Sequence, residues 1–227
     1  MPETGLIQTL TKINTVLFDL DGTLADTAPD LAYALNLQRT QRGLPEMPLE
    51  EIRPAASHGS IALLKVGFQI EPEDEGFDEL RKEYLELYEA NLNTHTTLFP
   101  GMDAILDEIE SRHLNWGVVT NKPGWLTEPL LEALNVKHRA VCVISGDSLP
   151  ERKPHPAPLL HACKLAGSEA EQCIYIGDAE RDIVAGHRAG MTTLIAMFGY
   201  LSEADDPDSW PADGRIHSPA EILEWIK

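Results

Sequence analysis

Short apolar segments alternate with helix-like segments along most of this chain, and this order constrains the fold more than any other feature. Segments that are apolar on both faces suit a parallel sheet with helices on each side. The predicted strands are 16–18, Trp116–Thr120, Ala140–Ser145, Cys173–Gly177 and Thr192–Met197. The predicted helices are Met102–Arg112, Trp125–Leu134, Ala157–Ala166, Ile183–Ala189 and a short last one, Pro219–Ile226. The alternation predicts an α/β fold with a doubly wound, Rossmann-like parallel sheet.

One long interval, from about Thr27 to Leu98, breaks the alternation. It contains no convincing strand, and its apolar residues recur at helical spacing, as Leu80, Tyr84 and Leu87 do. The sequence therefore predicts two domains. Residues 1–26 and 95–227 form the α/β core, and residues 27–94 form an all-helical insert.

The charge of the chain excludes several classes of partner. The 227 residues carry a formal net charge of -19, which opposes binding to nucleic acid or to an anionic membrane surface. A phosphate site in such a chain needs its own local cations. No apolar stretch is long enough to span a bilayer, and the N-terminus lacks the pattern of a signal peptide. We therefore expect a cytoplasmic protein, a monomer or a homodimer, that binds neither nucleic acid nor membrane.

The first predicted strand ends in two acids, Asp19 and Asp21, followed by Gly22 and Thr23. Alternate residues of a strand point to the same face, so the two carboxylates begin on one side of the sheet. Such a pair repels unless a cation lies between the groups or one of them holds a proton, which predicts a metal site or an acid/base pair. The alternative is a strand that ends in a solvated Asp-Gly turn.

Polar residues also follow the other predicted strands, and the carboxyl ends of parallel strands meet at one crevice. This placement gathers carboxylates, a hydroxyl, an amide and an ammonium, as phosphoryl transfer to a carboxylate requires. Asp19 can attack phosphorus beside Mg²⁺, and Asp21 can protonate the leaving oxygen and later deprotonate water. The further residues are Thr120, Asn121, Lys153, Asp178 and Asp182. Separately, Lys153 could be a surface lysine, and Asp178 and Asp182 could cap a helix.

These residues, in this order, resemble the four motifs of the haloacid dehalogenase-like hydrolase superfamily over essentially the whole chain. The resemblance implies that Asp19 is the nucleophile and a Mg²⁺ ligand, and that Asp21 is the acid/base and offers its backbone carbonyl to the metal. It implies that Thr120 and Lys153 bind phosphate, and we expect the Asn121 amide, from its own donors, to bind phosphate as well. Asp178 is then the third protein ligand of the metal, and Asp182 supports the metal site.

The position of the insert, directly after the first motif, is similar to that of the helical cap in the phosphoglycolate phosphatase and β-phosphoglucomutase branch. The resemblance implies a phosphatase acting on a small phosphorylated metabolite, either 2-phosphoglycolate or N-acetylmuramic acid 6-phosphate, the latter a sugar of cell-wall recycling. A phosphosugar mutase and a non-catalytic ligand-binding relative are the alternatives. In the insert, Arg53 and the turn Ser57, His58 and Gly59 are the candidates for substrate selection.

Overall fold

A six-stranded parallel sheet forms the centre of the protein, whose computed structural model describes residues 12–226. Its strands lie in the order β5-β4-β1-β6-β7-β8, and the remaining two strands form a separate antiparallel pair. The strands are β1 (Thr15–Phe18), β2 (Ala25–Asp26), β3 (Thr97–Leu98), β4 (Asn115–Val119), β5 (Val143–Ile144), β6 (Cys173–Gly177), β7 (Thr192–Ala196) and β8 (Gly214–Ile216). The predicted α/β class and parallel sheet are confirmed.

Helices cover both faces of the sheet, which explains why the strands are apolar on both sides. In β1, Val16 and Phe18 belong to one apolar cluster and Leu17 to the cluster on the opposite face. The helices are α1 (Ala28–Gln41), α2 (Leu49–Ala56), α3 (Gly59–Phe68), α4 (Phe77–Ala90), α5 (Met102–Ser111), α6 (Gly124–Ala133), α7 (Ala157–Ala166) and α8 (Glu180–Ala189). Helices α7 and α8 pack on the face that contains Leu17, and α5 packs on the other.

Strand β1 lies between β4 and β6, and its register with both fixes the position of the first acidic motif. Phe18 pairs with Val118 of β4 and with Ile176 of β6. The three strands therefore end at the same level, and the residues that follow them emerge side by side at the carboxyl edge. This register places Asp19, Thr120 and Asp178 in one neighbourhood.

Helices α1–α4, which we call the cap, pack on one another. Helix α1 contacts each of the other three. Their shared core includes Leu35, Ile52, Leu63 and Tyr84, all of them buried. The apolar interior of the cap is continuous with the cluster on the α5 face of the sheet.

The chain crosses between sheet and cap at two adjacent points, through β2 and β3. Ala25 pairs with Leu98 and Asp26 with Thr97. The carboxylate of Asp30, fully buried at the start of α1, accepts bonds from the backbone N–H groups of His95 and Thr96 and from the Thr96 hydroxyl, at 2.8–2.9 Å. One carboxylate thus ties the outgoing and returning chain together.

The structure differs from the sequence predictions in several short elements. Strand β5 is two residues long rather than six, and the last predicted helix is a 3₁₀ turn, Pro219–Glu224. The sequence missed β8, a three-residue edge strand, and the pair β2–β3, whose Thr97 and Leu98 lie inside the interval that showed no convincing strand. In the described part of the chain, every helix is too short or too polar to cross a membrane.

Candidate active site

A buried lysine joins two carboxylates at the carboxyl edge of the sheet. The ammonium of Lys153, in the loop after β5, lies 2.9 Å from Asp19 Oδ1 and 2.7 Å from Asp182 Oδ1. It also donates to the Val119 carbonyl and to the hydroxyl of Tyr175, at 2.9 and 2.8 Å. All three charged side chains are nearly inaccessible to solvent. The ammonium therefore compensates two buried negative charges at once.

Three buried carboxylates, those of Asp19, Asp178 and Asp182, each present an oxygen atom within 4.8 Å of the others. Burial, and then the charge of Asp182, raises the pKa of Asp19 to about 6. Burial, followed by the charges of Asp19 and Asp182, raises the pKa of Asp178 to about 7. Burial also acts to raise the pKa of Asp182, but Lys153 and Arg181 outweigh it and hold that pKa below its usual value. The cluster therefore has an excess of negative charge around Asp19 and Asp178, which suits a cation with oxygen ligands.

Asp178 is enclosed by backbone and by a side chain from the cap. Its Oδ2 accepts bonds from the Ser57 hydroxyl at 2.6 Å and from the Tyr200 backbone N–H at 2.9 Å. Gly22, at φ +84°, and Gly199 both approach Asp178 so closely that a Cβ atom at either position would collide with its side chain. These two turns can therefore contain only glycine if the carboxylate keeps its place.

Asp182 has both of its oxygens occupied by donors from the protein. Oδ1 accepts from Lys153, and Oδ2 accepts from the backbone N–H of Ala179 at 3.1 Å, at the start of α8. Asp182 thus caps the helix and orients Lys153 at the same time. Both of the roles weighed for this residue, helix cap and support of the site, are compatible with these contacts.

The carboxylate of Asp21 is held by two other residues, Thr27 and Lys122. Its Oδ1 accepts from the Thr27 hydroxyl at 2.6 Å and lies 2.9 Å from the ammonium of Lys122. The same ammonium donates to the Tyr88 hydroxyl, in α4 of the cap, at 2.8 Å. Sequence reasoning missed Lys122, although it directly follows Thr120 and Asn121, because only the fold shows that its side chain reaches Asp21.

The two predicted phosphate-binding residues that follow β4 differ in their surroundings. Thr120 is buried and lines the cavity described below, and its hydroxyl accepts the Lys122 backbone N–H at 3.1 Å. That hydroxyl can still donate to an anion. The amide of Asn121 makes reciprocal bonds with the Lys153 backbone, donating to its carbonyl at 3.0 Å and accepting its N–H at 3.1 Å. The Asn121 side chain therefore fixes the loop that contains Lys153.

The predicted cap residues divide into two groups. Ser57, His58 and Gly59 line the cavity, whereas Arg53 does not. The guanidinium of Arg53 makes a bidentate ion pair with Asp26, with both distances 2.9 Å, beside the ring of Tyr200. Arg53 thus joins α2 to the first crossing strand, β2.

Arg181, in the first turn of α8, is a second residue that the sequence analysis missed. It lines the cavity, and its Nη2 donates to the Ser57 carbonyl at 2.6 Å. Its charge acts to lower the pKa of Asp19 and of Asp182. The only sequence signal for Arg181 was its place between Asp178 and Asp182, and the roles predicted for this segment were assigned to those two acids.

A cavity of about 590 Å³ lies between the cap and the carboxyl edge of the sheet. Asp19, Asp21 and Thr120 line it from the core, and Tyr84 and Tyr88 line it from the cap. The candidate nucleophile and the candidate acid/base thus face one space that both parts of the protein enclose. Residues of the core and residues of the cap therefore both surround this space.

Comparison with known proteins gives a consistent result over most of the chain. Residues 16–196 match the family described as haloacid dehalogenase-like hydrolase. A phosphoglycolate phosphatase of Xanthomonas campestris pv. campestris (strain 8004) is 44% identical over 209 residues, which cover 92% of this chain and 94% of the relative. An N-acetylmuramic acid 6-phosphate phosphatase of Pseudomonas putida is 39% identical and covers 95% of this chain and 96% of its own length.

The solved structures agree with the sequence comparison. A crystal structure described as a predicted phosphoglycolate phosphatase from Haemophilus somnus 129pt superposes with a TM-score of 0.84 at 28% identity. The match covers 96% of this chain and all of the other. A putative phosphoglycolate phosphatase from Lactobacillus delbrueckii subsp. bulgaricus superposes with a TM-score of 0.80 at 25% identity. These proteins share both the sheet and the helical cap with this chain.

Proposed function

Because the chain belongs to the haloacid dehalogenase-like hydrolase family and is a phosphoric monoester hydrolase, we propose that it hydrolyses a small phosphorylated metabolite through an aspartyl-phosphate on Asp19, with Mg²⁺ as cofactor. The observation that carries this proposal is the buried cluster of Asp19, Asp178, Asp182 and Lys153 beside the cavity. We also propose a division of labour. The core, residues 1–26 and 95–227, performs the chemistry, and the cap domain, residues 27–94, selects the substrate.

In the first step, the free carboxylate oxygen of Asp19 attacks phosphorus, and the bond between phosphorus and the ester oxygen breaks. Asp21 gives its proton to that oxygen, so the leaving group departs as a neutral alcohol. Lys153 and the Leu20 backbone N–H hold Asp19 Oδ1, at 2.9 and 2.7 Å. They fix the carboxylate in one orientation, which is the main contribution a protein makes to phosphoryl transfer. Thr120 and Lys153 are the proposed contacts of the phosphoryl oxygens.

In the second step, water attacks the phosphorus of the aspartyl-phosphate. Asp21, now ionised, takes a proton from the water, the bond between phosphorus and the Asp19 oxygen breaks, and inorganic phosphate leaves. Both side chains return to their starting protonation states. The cap excludes bulk water during the first step, which keeps the leaving group and not solvent next to Asp21.

The residues present fit a divalent cation. Asp19 and Asp178 offer carboxylate oxygens, and the resemblance to the family adds the backbone carbonyl of Asp21. The raised pKa of both carboxylates reflects buried charge that the described residues do not fully compensate. Bound there, Mg²⁺ neutralises the charge between carboxylate and phosphate oxygens.

For the substrate, we propose 2-phosphoglycolate or N-acetylmuramic acid 6-phosphate, the compounds in the names of the relatives. A volume of about 590 Å³ falls within the range of roughly 300–1,000 Å³ that is usual for sites that enclose drug-sized ligands. It therefore has room for a phosphorylated amino sugar and exceeds what 2-phosphoglycolate fills. The volume favours the larger substrate.

A screen of phosphate release tests this function. Purified protein with Mg²⁺ is offered small phosphorylated acids, sugar phosphates and nucleotides, and free phosphate is measured without any bisphosphate activator. We expect release from the two named esters and loss of release when a chelator removes the metal, with recovery on adding Mg²⁺. Conversion of a sugar phosphate to its isomer would indicate a mutase instead. Binding without turnover of any ester would indicate a ligand-binding protein.

The raised pKa of Asp178 predicts how stability depends on pH. An aspartic acid titrates near 3.8 when unfolded but near 7 here, so the metal-free folded state binds the proton more tightly. Stability is therefore lost as pH rises through this window. Asp178→Asn cannot ionise and avoids the loss. In the presence of a chelator, we expect the stability of the variant relative to the native protein to increase by about 2–3 kcal/mol between pH 5 and pH 8.

Denaturant unfolding at the two pH values measures this difference, and Asp208→Asn, an exposed change, is the control. With Mg²⁺ at pH 8, the native protein gains stability and Asp178→Asn gains little. A stability difference that is independent of pH would contradict the burial argument. A Mg²⁺ effect that survives in the variant would contradict the role of Asp178 as a ligand.

A further inference from the structure

Lys122 occupies an unusual position between core and cap. It follows β4 in the core, yet its ammonium bonds the Tyr88 hydroxyl of α4 at 2.8 Å as well as Asp21 Oδ1 at 2.9 Å. Its side chain is 7% exposed. The ammonium of this long, flexible side chain is thus held by two partners, and its charge is fixed next to the proposed acid/base, Asp21.

The ammonium of Lys122 has capacity for one more partner. An ammonium has three N–H donors, and Asp21 and Tyr88 take two of them. Among residues 12–226, no further acceptor for this nitrogen is found, and Lys122 lines the cavity. A buried donor without a partner costs free energy. The third donor is therefore available to a ligand placed beside Asp21.

The remaining charges of the cavity also favour an anionic ligand. Besides Lys122, its lining contains three arginines, Arg81, Arg152 and Arg181, and apart from Asp19 and Asp21 it contains a single acid, Asp147. The chain as a whole has 37 acidic residues against 18 lysines and arginines. Cations are thus concentrated in the cavity of an acidic protein. Since Lys153 already serves the catalytic carboxylates, this set exceeds what one phosphoryl group requires.

We propose that Lys122 binds a carboxylate on the leaving group of the substrate and so determines specificity. This inference rests on the proposed phosphatase activity and adds the class of ester, a phosphomonoester that also contains a carboxylate. One ammonium then contacts both Asp21 and the leaving group. It selects the substrate and also places the ester oxygen within reach of the acid that protonates it.

Matched pairs of esters test the proposal. The first pair is 2-phosphoglycolate and isobutyl phosphate, in which two methyl groups replace the carboxylate oxygens. The second is N-acetylmuramic acid 6-phosphate and N-acetylglucosamine 6-phosphate, which lacks the lactyl carboxylate. For each pair, kcat/KM is measured for the native protein and for Lys122→Met, and the ratio between the two esters is compared. We expect the preference for the carboxylated ester to fall about 10- to 100-fold in Lys122→Met, the effect of losing one charge-assisted hydrogen bond.

The ratio separates binding of the leaving group from general damage, because a disturbed Asp21 slows both esters of a pair alike. Lys122→Arg, which keeps the charge, restores part of the preference, and Lys65→Met, an exposed lysine that pairs with Glu71, leaves it unchanged. An unchanged preference in Lys122→Met overturns the inference while the phosphatase function stands. So does equal hydrolysis of both esters by the native protein. If the native protein releases phosphate from none of the four, the proposed function fails, and the inference fails with it.

Discussion

Replacing Asp19 by Asn abolishes phosphate release, with kcat lowered by about 10⁴- to 10⁶-fold, the usual cost of removing a nucleophile. The amide is nearly the same size as the carboxylate but cannot form the aspartyl-phosphate. Its oxygen can still accept the bonds that Lys153 and the Leu20 backbone N–H donate to Asp19 Oδ1. Because burial raises the pKa of Asp19 to about 6, the native charge does not contribute net stability at neutral pH. We therefore expect the variant to be folded and at least as stable as the native protein at pH 7.

Two measurements are needed. Phosphate release is followed under saturating substrate, and unfolding by denaturant confirms that the variant is folded. In addition, native protein mixed with substrate and quenched in acid should show a phosphoryl group on the peptide that contains Asp19, and Asp19→Asn should show none. Asp208→Asn serves again as the exposed control. A folded variant that retains a tenth of the native rate would contradict the role of Asp19 as nucleophile.

Replacing Lys153 by Met removes both activity and much of the stability. The Lys153 side chain is 1% exposed, and its ammonium compensates the buried carboxylates of Asp19 and Asp182. Removing one partner of a buried ion pair leaves an uncompensated charge, at a cost of about 3–5 kcal/mol. We expect the free energy of unfolding at pH 7 to fall by this amount. We expect kcat to fall by about 10³-fold or more, because Asp19 loses the group that orients it.

A second substitution separates the charge effect from loss of packing. In the double variant Lys153→Met with Asp182→Asn, the unpaired carboxylate is absent, so a large part of the lost stability returns. Activity does not return, because nothing replaces the ammonium at Asp19. A double variant that is no more stable than Lys153→Met would show that the lost stability comes from the packing of the lysine side chain and not from its charge. A fully active Lys153→Met would contradict its place in the site.

The sequence predicts the sheet and its acidic edge well because burial on both faces requires continuous apolar strands. Strands such as Cys173–Gly177 are recognisable by composition alone, and parallel pairing then brings Asp19 and Asp178 together. The edge strand β8 escapes this logic. It is short, contains the exposed Arg215, and has only one fully buried residue, Ile216. Strand β8 forms by pairing with β7, an existing strand of the sheet. The local sequence of β8 contains no pattern that predicts this pairing.

Side-chain partners are harder to predict than the elements that contain them. Lys122 and Arg181 stand beside predicted residues, but a charged residue in a loop or a first helical turn is usually solvated, and only the tertiary fold turns these two inward. Conversely, Arg53 has a side chain suited to binding anions, but it is paired with Asp26. The Asn121 amide lines the cavity, yet it gives one of its two donors to the Lys153 backbone. A sequence shows which side chains can donate hydrogen bonds. It does not show which acceptors they bond, because donor and acceptor lie on distant segments that only the fold brings together.

The bonds of Asp30 to His95 and Thr96, together with the β2–β3 pair, affect how the cap can change during evolution. Since β2 pairs with β3 and Asp30 bonds the backbone of Thr96, the outgoing and returning chain are joined where the cap begins and ends. The register of β1, β4 and β6 lies outside this segment, so changes in the cap helices leave the position of Asp19 unaltered. The cap can therefore be remodelled around the cavity as long as the contacts that Ser57 and Tyr88 make with the core are kept or replaced.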